Sequence, residues 1–166
     1  LEELSSDGDA LRTRTGQKLY DLNVQQYCCA GLNFGYFYDA SPLIAYDGET
    51  PPGYTMYQFT PSTVPGCRTP HIWLANGESL YDAMGNDYAL LRANPSVDVS
   101  PLVREAKARG IPLRVVDING EAAHHIYKEP LVLSRPDQHV AWRGHELPDD
   151  LSALLDLISG TIKEHA

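Results

Sequence analysis

Cysteine is scarce in this chain of 166 residues: there are three, Cys28, Cys29 and Cys67. An odd number does not close a disulfide framework. Two adjacent cysteines give neither the Cys-x-x-Cys redox spacing nor a metal clamp. All three read as structural or incidental thiols. Positive charge is short as well, with 13 Lys and Arg against 22 Asp and Glu and a formal net charge of −9. That balance excludes a nucleic-acid or anionic-membrane surface, since both need clustered cations. No run approaches the ~20 apolar residues of a membrane span, and no basic-then-apolar signal segment opens the chain. The expectation is a soluble, cytoplasmic domain. Missing too are Gly-x-Gly-x-x-Gly, the P-loop and the Gly-x-Ser-x-Gly elbow, so nothing in the sequence is suited to cradle a dinucleotide phosphate. The first residue is Leu1 rather than Met, which is expected of a processing site or a boundary within a longer chain.

What is present suits one core. Hydrophobic residues make up 43% of the chain, and the length is too small for two ordinary enzyme domains. Residues 1–27 read as a mostly polar helix, with a thin stripe of Leu11, Leu19, Leu22 and Gln26 and Asp9 as its cap. From residue 32 to 46, Phe34, Tyr36 and Tyr38 alternate with other residues and Ile44 and Tyr46 follow, a period-two pattern read as one or two strands. Asp47-Gly48 marks a turn, and residues 54–69, with Pro61, Pro65 and Gly66, read as an extended connector.

From Pro70 the pattern is regular. His71–Leu74 reads as a short strand, Ala75–Glu78 as a turn and Ser79–Asp82 as the start of the next element. Tyr88–Leu91 reads as a strand, Pro101–Arg109 as a helix stopped by Gly110, and Pro112–Ile118 as a strand buried on both faces. Leu131–Leu133 and His139–Trp142 flank Pro136-Asp137-Gln138 as a hairpin. Pro148-Asp149-Asp150 then starts a last helix with Leu151, Leu154, Leu155, Ile158 and Ile162 on one face. The fold class is therefore α/β. A thioredoxin-like mixed sheet, βαβ then ββα, spans residues 70–166 and follows a helix and connector arm at residues 1–69.

That fold poses a redox question, and the residues answer it. A thiol oxidoreductase needs its cysteines after the first strand of the unit, where this chain has Arg92-Ala93-Asn94-Pro95-Ser96-Val97-Asp98. Without a thiolate there, exchange cannot start. His124 and His125 are adjacent and point apart in a helix or a strand, so they make no bidentate metal site. His71 and His139 read as polar groups at a sheet edge or as satisfied core histidines. Arg68, Arg135 and Arg143 have the fork geometry for a carboxylate or phosphate, with ion pairing at a surface or between domains as the other reading.

Several strings then carry a resemblance. Pro65-Gly66-Cys67-Arg68-Thr69-Pro70-His71-Ile72-Trp73-Leu74, Gly77-Glu78-Ser79-Leu80-Tyr81-Asp82-Ala83-Met84-Gly85 and Arg135-Pro136-Asp137-Gln138-His139-Val140-Ala141-Trp142-Arg143 resemble the C-terminal end of bacterial FAD-dependent aromatic-ring hydroxylases of the phenol and chlorophenol monooxygenase type. Gly35–Asp39, Ser41-Pro42 and Asp47-Gly48 are similar to the same group, so the match runs over about 110 residues. The resemblance implies a parent enzyme that uses FAD and NADPH with O2 to hydroxylate phenols. It implies no catalytic, cofactor-binding or metal-binding residue in this chain, because the matching motifs are absent. What it implies here is a structural domain, inactive alone, docked on the flavin-binding part of the same polypeptide or on the second subunit of a homodimer. Arg68, His71, Tyr81, Trp142 and Arg143 are the expected contacts, or else internal stabilisers. A free-standing, redox-inactive thioredoxin-like interaction module is the alternative.

Overall fold

The computed structural model describes residues 2–161, apart from the side chains of Gln25, Glu121, Ala122 and His124. Ile162, expected on the last turn of the final helix, and the side chain of His124 lie outside the described residues. The chain forms two compact units, one of residues 2–36 and 53–60 and one of residues 37–52 and 61–161.

In the first unit, α1 spans Ser6–Tyr27. Its cap is Ser5, whose Oγ accepts the Gly8 N–H at 3.1 Å. Asp9, expected as the cap, lies within the first turn and pairs with Arg12. Both positions favour a carboxylate, because the first turn presents unsatisfied N–H groups and the positive end of the helix dipole. The expected stripe is exposed: Leu11, Leu19 and Leu22 face solvent. A second helix, α2 (Ala30–Phe34), occupies the start of the segment expected to be strand. Gly31 explains it. A Cβ there would lie 1.7 Å from the Thr55 carbonyl oxygen, and the next N–H, of Leu32, donates to Met56 O at 2.9 Å. The backbone is held to a loop of the same unit, not to a ladder.

The second unit is a four-stranded mixed sheet between two helical layers. Its elements are α3 (Leu80–Met84), β1 (Tyr88–Arg92), α4 (Ser100–Ala108), β2 (Leu113–Asp117), α5 (Glu121–Ile126), β3 (Leu131–Ser134), β4 (Val140–Gly144) and α6 (Leu151–Ser159). The strand order is β2-β1-β3-β4, with β1 parallel to β2 and the β1–β3 and β3–β4 pairs antiparallel. The expected βαβ and ββα halves are both present.

Alternation divides the core. Ala89, Leu91 and Val132 face Leu80 and Met84 of α3 and Ala123 of α5. Leu90, Leu131 and Leu133 face Leu102 and Ala106 of α4 and Leu154, Leu155 and Ile158 of α6. Central strands β1 and β3 are thus covered on both faces, which accounts for their unbroken apolar runs. Strand β2 is not of this kind. It is an edge strand, with Arg114 and Asp117 exposed. Helix α6 begins where Asp150 accepts the Ala153 N–H at 2.8 Å and stops at Gly160, whose φ of 71° is a left-handed cap. No strand forms at His71–Leu74. A single bridge joins Trp73 to Ser79, and the Leu74–Glu78 turn closes it.

The other sheet edge, β4, is covered by the chain itself. Gly66 N–H donates to Val140 O, Val140 N–H to Cys67 O and Ala45 N–H to Ala141 O, all at 2.8–2.9 Å. Gly66 has φ of 99°, and a Cβ there would meet Tyr38 O at 2.1 Å, so only glycine fits. Arg143 fastens the covering segment. Its Nε donates to Asp47 at 2.7 Å, its Nη2 to Glu49 and its Nη1 to Thr63. The Arg143 side chain is 6% exposed, while Asp47 and Glu49 remain 35% and 53% exposed. Arg143→Met should therefore cost about 1–3 kcal/mol, below the figure for a wholly buried pair, read as a lower urea midpoint. An unchanged midpoint would show that the clamp is idle.

Candidate functional site

The covering segment ends at Arg68, which bridges to His139 and begins a polar cluster. Arg68 Nη2 donates to Gln138 Oε1 at 2.7 Å, and its guanidinium lies 5.4 Å from the centroid of the Tyr81 ring, within reach of a cation–π contact. Tyr81, on α3, donates its hydroxyl proton to Thr69 O at 2.7 Å. The His71 ring sits 5.1 Å from Tyr81 and 5.1 Å from Trp73, edge-on to both, and its Nε2 is 3.0 Å from Ser79 Oγ. Three of the five residues expected as contacts, Arg68, His71 and Tyr81, thus form one cluster. Its outermost member is Trp73, 68% exposed. Trp73 is not among the residues expected as contacts, although an apolar ring in a short turn-linked segment is the available signal.

The other two lie elsewhere. Trp142 packs its ring against the α4–α6 core, and Arg143 holds the carboxylates of Asp47 and Glu49.

The hairpin tip continues the cluster. Gln138 N–H donates to Arg135 O at 2.9 Å and Arg135 N–H to His139 O at 2.8 Å. Gln138 takes φ of 63°, the left-handed position of a three-residue hairpin loop. Pro136 presets the preceding turn. The Tyr38 ring lies 4.7 Å from the His139 ring, tilted to it, and under the Arg135 guanidinium. His139 is buried, with Nδ1 3.0 Å from Asp137 O. Burial pushes its pKa below the ordinary value, the Arg68 and Arg135 charges act the same way, and Asp137 opposes them.

A nucleotide cofactor requires a glycine-rich turn between a strand and the N-terminus of a helix. The strand–helix–strand unit of this chain is β1-α4-β2, and residues 93–99 between β1 and α4 contain no glycine. Asp98 already accepts the Ser100 N–H there at 2.9 Å, placing a carboxylate where a pyrophosphate would need a donor. Those residues do not fit FAD.

The sequence and the fold have counterparts among known proteins. A family model described as aromatic-ring hydroxylase, C-terminal, matches residues 62–161. Phenol 2-monooxygenase of Pseudomonas sp. (strain EST1001) is 32% identical over 171 residues, covering 91% of this chain and 27% of the relative. An FAD-dependent monooxygenase of Emericella nidulans is 32% identical over 146 residues, covering 81% and 23%. Among solved structures, RebC with bound 7-carboxy-K252c aligns with a TM-score of 0.76 at 31% identity, over 98% of this chain and 31% of that one. The chain spans about a quarter of the length of these curated relatives.

The cluster also sets a pH dependence. Unfolded, His139 takes a proton near its ordinary value of 6.5, whereas the folded site resists it. The unfolded state then binds more protons, so stability is full above about pH 6.5 and falls as pH drops toward the depressed folded value. Burial tends to raise the pKa of Asp47, but the Glu49 N–H and Arg143 outweigh it and lower the pKa from 3.8, giving a second loss below that value. The urea midpoint should decline in both windows, and His139→Gln should remove the first. A midpoint rising between about pH 6.5 and about pH 5 would contradict this. The matched residues, the mixed sheet and the identity to whole monooxygenases together place the chain in the aromatic-ring hydroxylase family, as its C-terminal domain.

Proposed function

We propose that this chain is the structural and docking domain of an FAD- and NADPH-dependent cytoplasmic monooxygenase that hydroxylates phenolic rings, and that it is inactive by itself. The supporting observation is the Trp73 cluster. A Trp that is 68% exposed, held edge-on by His71 and backed by Tyr81 and Arg68, has the composition of an interface anchor: aromatic rings with an arginine beside them. Arg68, His71 and Tyr81 position the anchor. Trp142 and Arg143 stiffen the sheet beneath it. Its partner in this reading is the flavin-binding part of the same polypeptide, with a second subunit of a homodimer as a further contact.

The chemistry of hydroxylation belongs to the flavin, and this domain contributes rigidity to the part that holds it. In this reading residues 1–69 come from the end of the flavin and substrate region of the parent and residues 70–166 are the thioredoxin-like domain, with residues 37–52 and 61–69 packed into its unit. The relatives that match the chain are named as phenol and FAD-dependent monooxygenases, which supports the cofactor and the substrate class.

Titrating the isolated chain with FAD should give no saturable quench of flavin fluorescence, and phenol with NADPH and FAD should give no product. In the whole enzyme, Trp73→Ala should lower the melting temperature and hasten FAD loss, with turnover per bound flavin unchanged. FAD binding by the isolated chain with a Kd of about 1 μM or below would overturn the reading.

A further inference from the structure

The two edges of the sheet are treated differently. Strand β4 is covered by residues 45 and 66–68 of the same chain. Strand β2 pairs with β1 alone, and no other described segment bonds its outer edge. Its outward groups follow from alternation. Ile118 N–H points inward, to Arg92 O at 2.9 Å, so Val116 and Arg114 point the same way, and Leu113, Val115 and Asp117 turn their N–H and C=O groups outward.

The side chains of these three residues lean to the face that carries α4. Between α4 and β2 runs an apolar trench made of two clefts that share Val103. One, of about 370 Å³, is lined by Val103, Ile111, Leu113 and Lys107. The other, of about 330 Å³, is lined by Val99, Val103 and Val115, with Arg92, Arg104 and Asp98. The charges facing the trench are three cations, Arg92, Arg104 and Lys107, against two anions, Asp98 and Asp117. Arg92 is paired with Asp117 at 2.6 Å, and Asp98 faces both Arg104 and Arg92. No ion pair among the described residues holds Lys107. The trench is therefore net positive on a chain whose net charge is −9, so what seats there by charge complementarity is acidic.

We propose that the β2 edge and the α4 trench form a strand-addition site for an extended segment of a partner protein in which apolar and acidic residues share one face, at every second position. The segment adds as a fifth strand beside β2. Its backbone pairs with the outward groups of Leu113, Val115 and Asp117, its apolar side chains enter the two clefts, and its carboxylates meet Arg104 and Lys107. The residues that normally blunt an edge do not obstruct this approach. Arg114 is turned to the opposite face, where it donates to Ala83 O at 3.1 Å, and Asp117 is neutralised by Arg92. The site is distinct from the Trp73 cluster and does not depend on the docking reading.

The probe is a blocked peptide in which Thr at every second position separates Val and Glu in turn, so that Val and Glu share one face, with the peptide carrying Lys for Glu as its charge-reversed control. Amide hydrogen exchange of the 166-residue chain is measured with and without each. The acidic peptide should slow exchange at Leu113, Val115 and Asp117 by more than tenfold, leaving Arg114 and Val116 little changed. The Lys peptide should not do so. The double variant R104E/K107E, at two exposed positions, should weaken binding at least tenfold, and its melting curve checks that it is folded. Equal protection by both peptides, protection elsewhere or none at millimolar peptide would overturn the proposal. So would protection of the same amides by self-association in the absence of peptide, which would make the occupant a second copy of the chain.

Discussion

The closure of the β4 edge by the chain's own residues 66–68 is the contact on which the rest of the second unit depends. An exposed edge offers a row of unpaired donors and acceptors, and here Gly66, Cys67 and Arg68 take them up. The geometry is demanding, because Gly66 must adopt a positive φ with Tyr38 O against it. Arg143 reaches from β4 to Asp47, Glu49 and Thr63 and holds the covering segment from the other side. Once that segment is in place, Arg68 falls beside Tyr81 and Gln138, His139 is buried under Tyr38, and Trp73 is left at the surface on a base of polar contacts. The candidate site follows from covering an edge.

The family resemblance and the local chemistry bear on different parts of the chain's relatives. Relatives of this chain are FAD-dependent, yet the strand–helix–strand unit here carries an acidic residue where a nucleotide phosphate would dock. A helix N-terminus attracts anions through its free N–H groups, and Asp98 already occupies it. The sheet of this domain presents a carboxylate, not free N–H groups, at that turn. Its two edges show the same logic in opposite forms, one consumed internally and the other left with apolar clefts and a cationic rim.

The elements legible in the sequence are those whose pattern is local. Strand β1 and the β3–β4 hairpin were marked by apolar runs around a Pro-Asp turn, and α6 by the spacing of Leu151, Leu154, Leu155 and Ile158. Helix α4 was marked by Pro101 at its start and Gly110 after its end. Where the sequence misleads, a distant partner is responsible. The alternating aromatics of residues 32–38 suggest a strand, but Gly31 meets Thr55 and the backbone turns into α2. Strand β2 reads as buried because its Val residues resemble a core run, and only strand order puts it at an edge. Helix α5 carries no signal that the sequence reading detected.

By itself, the sequence determined the class of fold, the order of its halves and the family, since each rests on residue type and short spacing. The tertiary structure alone decided which residues meet. Arg68, His71 and Tyr81 converge because residues 66–68 lie along β4 and α3 packs on the same side of the sheet. Arg143, adjacent to Trp142 in sequence, is drawn inward by carboxylates 94 and 96 residues away. Spacing along the chain carries no record of such pairings, because burial and ion pairing act between groups close in space, however far apart they are in sequence.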